Sequence, residues 1–569
     1  MAVTRSKAAE RVTAPRRMAW RRGEALWMLA GSLVLVCGLA LVYQAKSRSL
    51  SEIESGLAGK QLLNLNDLGA REELLPFLQI FTEPAERQFA ARRIYDASGD
   101  LRNVGALARL RVTEAEIQRT RGLKSFRERH ALTLVTGEQF RQLKPLFVVR
   151  RPAQFRRAFF TWAAIFFAAF WAVHVWWGAR KFQGDSALLP GLMLLTGTGL
   201  ILMVSLRDPV RDSLIFVDFA QGAAAGCVVL ALASAVDYER LFGKLSFVPL
   251  LGSFALSALL IVFGYGPGTS DAKVNLFGFQ PVELIRILLV LFLAGYFAQR
   301  WDILRHAREQ RPSLARFNRL GGIPPLEYTI PVFACVGLSL LFFFLQKDMG
   351  PALVFTCLFL VLYAIARNGA LMAAAGLALL CAGFVAGYIL RVPHTVHDRV
   401  SMWASPWDNL VHGGDQLAQS LWAYATGGPF GTGLGLGDPA LVPAAHTDLI
   451  LSALGEEWGF LGVLAVFALY GFILYRSARI ALRARSDYEF FLGAGLAAAM
   501  GLQILLIAAG SLGVLPLTGV VTPFLSYGRT SMLANFLVFA MLLPATPYPS
   551  SFLSSLWCGT LSKAFAKSK

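Results

Sequence analysis

Apolar residues in this chain come in long unbroken runs rather than at the two- or four-residue spacing of a soluble domain. An uncharged stretch of about 20 residues crosses a roughly 30 Å hydrocarbon core as one helix, so the runs can be counted as spans. Twelve are predicted, at 25–45, 158–179, 186–206, 214–236, 245–264, 281–299, 328–346, 349–366, 369–390, 449–475, 490–512 and 530–548. The last ten form a continuous body over residues 186–548, and the first two flank the one sizeable polar block, residues 46–157. The expected fold class is an all-α polytopic membrane protein.

Composition points the same way: 55% of the 569 residues are hydrophobic and 16% are charged, far from the balance of a soluble chain. A formal net charge of +18 would suit nucleic acid, but its placement reads as a topological signal. The stretches "RRMAWRRGE", "QRWDILRHAREQRPSLARFNRL" and "YRSARIALRAR" all fall on one side when twelve helices alternate. The positive-inside rule then puts both termini in the cytoplasm, the basic segment 1–24 and the tail 549–569 included. Nucleic acid is not expected as a partner. Six cysteines lie in predicted spans or in the tail, so neither a disulfide framework nor a paired-cysteine zinc site is indicated. The first run is too long for a secretory leader and lacks its cleavage pattern, which makes it an anchor.

Residues 46–157 hold 21 basic and 13 acidic residues, and alternation places them outside the cytoplasmic face. Helix-like apolar spacing broken by Gly and Asn-Asp predicts a small, mainly helical extracytoplasmic domain, serving either as a docking or regulatory module or as a spacer with a solvated basic face. A second exterior segment, 391–448, carries "GGPFGTGLGLGDP". Glycine at this density lets backbone approach helix ends or ligand closely, and no P-loop or dinucleotide fingerprint accompanies it.

Ionisable groups inside or at the mouths of spans are the candidate chemistry, because the membrane penalises them. In "GFQPVELIRILLV", Gln280 stands just outside a helix whose first turn suits Pro281, and Glu283 and Arg286 share one face at i,i+3. That pair is either a self-satisfied ion pair or a held guanidinium that contacts phosphate. "LQKDMGPAL" places Gln346, Lys347 and Asp348 in a tight turn. Arg399, Asp408, Gln416 and Gln419 accompany Trp403 and Trp407, which read as interfacial anchors. In "VPAAHTDLILSALGEEWGFLG", Asp448 sits where a helix begins and is either an N-cap or a carboxylate at the lip of a cavity. Glu456 and Glu457 follow about two turns deeper, with Glu456 near the Asp448 face. Such a carboxylate could take a proton from a sugar hydroxyl or hold a divalent cation, with His446 to tune it or to act as an ordinary hydrogen-bonding residue.

Taken together, "GFQPVELIR", "LQKDMGPALV", "DRVSMWASPWD", "GDQLAQSLWAYATGGPFGTGLGLG", "VPAAHTDLILSALGEEWGFLG" and "GVLPLTGVVTPFLSYGRTS" resemble, in order, the motifs of the SEDS family, the RodA and FtsW type of shape, elongation, division and sporulation proteins. The resemblance covers about residues 188 to 548. It implies a ten-helix core that polymerises lipid II, the undecaprenyl-linked disaccharide-pentapeptide, into glycan strands at the outer face of a bacterial cytoplasmic membrane. Asp448 would be the general base for the acceptor 4-hydroxyl. Arg286 and Arg399 would recognise diphosphate, with Gln280, Glu283, Asp348, Gln416, His446, Glu456 and Glu457 around the substrate. It further implies a class B penicillin-binding protein as partner. A divalent cation, Mg²⁺ or Mn²⁺, is expected to assist the diphosphate leaving group, and no organic cofactor is expected. Two positions depart from the family pattern: Arg529 where a small residue is usual, and Ala444 where many relatives carry glutamate. A lipid-linked precursor flippase and a non-catalytic scaffold for a transpeptidase are the alternatives.

Overall fold

The computed structural model describes residues 14–113, 133–180, 184–266, 272–306, 326–392, 394–408, 414–438 and 441–543, together with Glu116, Leu123, Phe126 and Phe182. The tail 549–569 and most of the basic connection after residue 306 lie outside the described residues. The chain begins with α1 (Ala14–Ser47) and α2 (Leu50–Ala58). The polar block continues with α3 (Pro84–Ala97) and α4 (Gly137–Leu143). Then follow α5 (Pro152–Ala179), α6 (Leu188–Ser205), α7 (Ile215–Ala233), the short α8 (Tyr238–Phe242), α9 (Phe247–Phe263) and α10 (Val282–His306). Next come α11 (Leu326–Leu345), α12 (Met349–Arg367), α13 (Leu371–Leu390), α14 (His394–Ala404) and α15 (Gly414–Gly427). The last three are α16 (Ile450–Ala481), α17 (Asp487–Ser511) and α18 (Arg529–Met541).

Ten of these helices are long and apolar enough to cross a bilayer; α9 and α18, with 17 and 13 residues, are the shorter members of the predicted twelve. Inside lipid each backbone group must find its partner within the chain, which is why uncharged runs of this length become helices. Small residues set the closest crossings. A Cβ at Gly197 of α6 would meet Leu35 of α1 at 2.3 Å, and one at Gly226 of α7 would meet Phe536 of α18 at 2.3 Å. In this way the two N-terminal spans pack against the body, α1 on α6 and α5 on α7. Glu24 and His174 join α1 to α5 at 2.8 Å. At the rim, α13 has no buried residue and ends in a left-handed Arg391 (φ 55°).

The polar block has its own core of Leu65, Leu74, Phe81, Ile94, Leu107, Phe126 and Phe147. It is less regular than expected: between its helices lie short 3₁₀ turns, and Leu63–Asn64 pairs in parallel with Phe147–Val148. The block docks on the connection between α6 and α7. Val104 and Val149 donate their N–H groups to the carbonyls of Arg211 (2.9 Å) and Val210 (3.0 Å).

One expected span differs in kind. The run 449–475 is a longer helix, α16, broken at Gly459, whose φ of 67° and ψ of −171° are not helical. The glycine-rich segment folds back into the break. Thr432 and Gly433 donate to the carbonyls of Glu456 (2.9 Å) and Glu457 (3.1 Å), and Phe460 and Leu461 donate to those of Gly428 (2.9 Å) and Pro429 (3.1 Å). Non-helical backbone is tolerated there because protein, not lipid, satisfies it.

Candidate active site

Asp448 belongs to an irregular segment just before α16, and the last connection of the bundle fixes that segment from outside. Tyr527 N–H donates to the His446 carbonyl at 2.7 Å, and Ser526 Oγ donates to the Thr447 carbonyl at 2.5 Å. Two bonds therefore grip the two residues before the aspartate. The capping alternative is corrected: α16 starts at Ile450, its cap position is Leu449, and no side chain caps it. The Asp448 carboxylate is left for other work.

Its neighbours are Thr447 and Arg399. Burial pushes the Asp448 carboxyl above the usual carboxylate range, while the Arg399 charge and the Thr447 hydroxyl pull it back. Arg399 Nη1 donates to the carbonyls of Leu517 (3.0 Å) and Thr518 (2.9 Å). At Gly519 (φ 69°), a Cβ would stand 3.4 Å from Arg399 Nη2 and 4.0 Å from Asp448 Oδ2, so the two side chains converge on one glycine that leaves them room. Asp348, at the start of α12, faces the same group. Its carboxyl is pushed up to about 6 by burial, lowered by Arg399 and raised by Glu283. The neighbouring Gly350 abuts the Thr518 carbonyl, where a Cβ would come to 2.5 Å. Arg399, Asp448 and Asp348 thus gather around residues 517–519.

Glu283 and Arg286 form the expected i,i+3 pair at 2.5 Å, and both are buried. Arg286 also donates to Gln503 Oε1 at 2.5 Å, and Gln503 passes the chain on to the Val521 carbonyl at 2.6 Å. This pair is satisfied within the protein and also braces the 517–521 segment. Gln280 lies at the lip, its N–H reaching Thr530 Oγ1 at 3.4 Å.

One expectation is corrected, and two other expected site residues find their places. Glu456 does not share a face with Asp448: it accepts the Asp438 N–H at 2.8 Å, because the helix begins two residues later than expected and the glycine-rich segment claims that face. Glu457 is bonded by Ser205 of α6. Gln416 is exposed, in the first turn of α15. In addition, Trp403 is a strap rather than an anchor, its Nε1 donating to the Gly513 carbonyl at 2.7 Å.

The structure adds residues that the sequence reading passed over. Ser526 and Tyr527 hold the segment that leads into Asp448. Lys46 of α1 lies within electrostatic reach of Glu457, Asp208, Asp438 and Asp212. Arg207 lines a pocket of about 140 Å³ together with Leu206 and Val442 to His446. Burial, and secondarily the Arg207 charge, hold His446 down at about 4, so its ring is neutral near pH 7. The signal for Arg207 was a cation in "SLRDPVRD", on the side where the body has few. Arg529 finds a partner in Asp218 of α7, which Tyr527 also contacts, so a salt bridge accommodates this departure. Ala444 adopts a left-handed φ of 53°.

Among the described residues no three of His, Cys, Asp and Glu group into a cation cage. The expected divalent ion therefore finds no protein-only ligand set, and no step below is routed through it.

A carboxylate gripped at one end of a helical membrane bundle, beside a guanidinium and a buried ion pair, defines a polytopic membrane protein with acid–base capacity at its boundary. Residues 186–549 match a family model described as the cell cycle protein family FtsW/RodA/SpoVE. The peptidoglycan glycosyltransferase RodA of Mycobacterium leprae is 32% identical over 394 residues, covering 66% of this chain and 81% of that protein. A probable peptidoglycan glycosyltransferase FtsW of a Geobacter species is 31% identical, covering 64% and 97%. Stage V sporulation protein E of Bacillus subtilis is 29% identical, covering 65% and 98%. Among solved structures, a chain from "Structural coordination of polymerization and crosslinking by a peptidoglycan synthase complex" superposes with a TM-score of 0.51 at 24% identity, covering 63% of this chain and 96% of that one. The chain belongs to the FtsW/RodA/SpoVE family. It is a multi-pass bacterial membrane protein of that all-α fold.

Proposed function

We infer that this chain is a peptidoglycan glycosyltransferase that polymerises lipid II into glycan strands, in cell elongation or division. The observation that carries the reading is the Asp448 carboxylate: free of capping duty, gripped through Thr447, and placed across Gly519 from Arg399. A base must be ionised and near the proton it takes. In the proposed step Asp448 accepts the proton of the acceptor sugar's 4-hydroxyl. The oxygen bonds to the donor's anomeric carbon. The bond from that carbon to the diphosphate breaks with its electron pair, and undecaprenyl diphosphate leaves.

Arg399 is proposed to meet the diphosphate with the donors left on its fork, since a guanidinium carries five and only Nη1 serves the two carbonyls. Arg286, held by Glu283 and Gln503, is proposed as a second, deeper positive charge. Gln280, Asp348 and His446 are proposed at the walls, while Gln416, Glu456 and Glu457 are left with supporting roles. The end of the bundle that carries Asp448 is proposed to face the outer leaflet, with both termini cytoplasmic. A class B penicillin-binding protein is proposed to supply the transpeptidase. Mg²⁺ or Mn²⁺ belongs to this proposal only as an ion carried by the substrate diphosphate.

The test is purified full chain given labelled lipid II. Glycan strands that disappear in Asp448→Asn, with the variant still eluting and melting as the wild type, support the reading. Precursor that crosses the bilayer without forming strands would make the protein a flippase, and neither outcome would leave a scaffold.

A further inference from the structure

The connection from α6 to α7, residues 206–214, is short, charged and almost wholly engaged. Asp208 accepts the N–H groups of Val210 (2.9 Å) and Arg211 (3.0 Å) and pairs with Arg211 at 3.0 Å. Asp212 accepts the Asp208 N–H at 3.2 Å and pairs with Lys144 of the polar domain at 3.6 Å. Arg150 of the same domain donates to the carbonyls of Pro209 (2.9 Å) and Asp212 (3.0 Å), and Arg211 donates back to the Pro145 carbonyl at 2.9 Å. Arg207 is the exception. Among the described residues it has neither an ion pair nor a hydrogen bond, although aspartates lie one and five positions away.

Arg207 instead lines the pocket whose other wall runs from Val442 to His446, two residues short of Asp448. A guanidinium carries five N–H donors, and this one, half-buried at the pocket wall, commits none of them to the described residues. The nearby carboxylates are committed elsewhere, and the neutral His446 offers no counter-charge. The pocket's 140 Å³ exceeds the share of about 30 Å³ that one liquid water takes.

We propose that Arg207 and the Val442–His446 wall form an oxyanion subsite for the diphosphate of a lipid-linked saccharide, on a connection held in place by the N-terminal polar domain. The subsite rests on the glycosyltransferase reading for the identity of its ligand, but its binding can be measured without turnover. It gives the polar domain, which lies outside the family-matched region 186–549, a direct mechanical link to the site through Arg150, Lys144, Val104 and Val149.

The experiment titrates full chain in phosphatidylcholine nanodiscs with farnesyl diphosphate, farnesol serving as the uncharged control. Wild type is expected to bind the diphosphate and not the alcohol. Arg207→Gln should weaken binding about tenfold or more, the scale of a lost charged hydrogen bond, and Arg207→Lys should restore part of it. In polymerisation with lipid II, Arg207→Gln should raise KM more than it lowers kcat. Arg150→Ala should weaken binding less than Arg207→Gln, and add little in the double variant, if it acts only through the connection. Binding unchanged in Arg207→Gln, or absent in wild type, overturns the subsite. So does displacement of the probe by excess phosphatidylglycerol, which would assign the pocket to bulk lipid headgroups. Arg207-dependent diphosphate binding in a protein that makes no glycan would instead sink the glycosyltransferase reading and leave the subsite standing.

Discussion

Ser526 Oγ donates to the carbonyl of Thr447 at 2.5 Å across a sequence separation of 79 residues, and the next residue after Thr447 is the proposed base. The same hydroxyl accepts the Thr522 N–H at 3.0 Å, so one serine ties the last connection of the bundle to the segment before Asp448.

Ser526→Ala should therefore act on turnover. It leaves a carbonyl and an N–H without their partner, a cost of about 1–3 kcal/mol when such groups are buried. Tyr527 N–H still holds His446, so the segment should loosen rather than unfold. We expect kcat to fall about tenfold, in line with roughly 1.4 kcal/mol lost in the transition state, with KM nearly unchanged. A variant with wild-type kcat would show that the grip on Thr447 does not position the base.

The pH profile should report the Arg399–Asp448 relationship. Burial raises the Asp448 carboxyl and the Arg399 charge lowers it. The base works only when ionised, so activity should fall as pH drops through its raised value, and that acidic limb should lie above the ordinary aspartate range. Arg399→Gln removes the lowering influence and should move the limb to higher pH. Arg399→Lys keeps a charge but loses the planar fork, so the limb should stay nearer to wild type while kcat drops. A limb that ignores the charge at position 399 would separate the two residues electrostatically.

The spans were readable because hydrocarbon leaves the backbone one choice, as in the run 349–366 and the helix Met349–Arg367. Asp448 was readable from its neighbours in sequence. Its freedom from capping was not, since that depends on where α16 starts. Glu456 was misplaced for the same reason: side chains one residue apart on a helix point about 100° apart, and rotation is set by packing. The break at Gly459 left no mark on the apolar pattern, because a segment some 30 residues earlier imposes it. Arg207 reads as any loop cation in sequence; what sets it apart is that its charged neighbours are engaged, Asp208 by Arg211 and Asp212 by Lys144 of the polar domain.

Gly459 should not tolerate a side chain. Its φ of 67° with ψ of −171° lies outside the range of L-residues, and a Cβ would come to 2.3 Å from Gly431 N and 2.6 Å from Phe430 C. The obstacle is backbone, so it cannot swing aside. Gly459→Ala should destabilise by about 2–4 kcal/mol, seen as a lower melting temperature in detergent. The neighbouring glycine-rich segment should become more accessible to protease. An unshifted melt would mean that the break is not required for the fold.

Asp348 offers a stability test whose sign follows from its carboxyl being raised from 3.8 to about 6. Between these values the folded protein binds the proton that the unfolded chain has released, so stability falls as pH rises through the window. Above about 6 the folded state carries the full penalty of an ionised, part-buried carboxylate; below 3.8 it carries none. Asp348→Asn removes the charge at constant shape. Its melting temperature should match wild type near pH 3.5 and exceed it near pH 7.5, by the equivalent of at most about 3 kcal/mol for a two-unit shift. If the variant melts lower than wild type at pH 7.5, then attraction to Arg399 outweighs burial, and Asp348 is an ionised partner of that guanidinium rather than a carboxyl poised to titrate beside it.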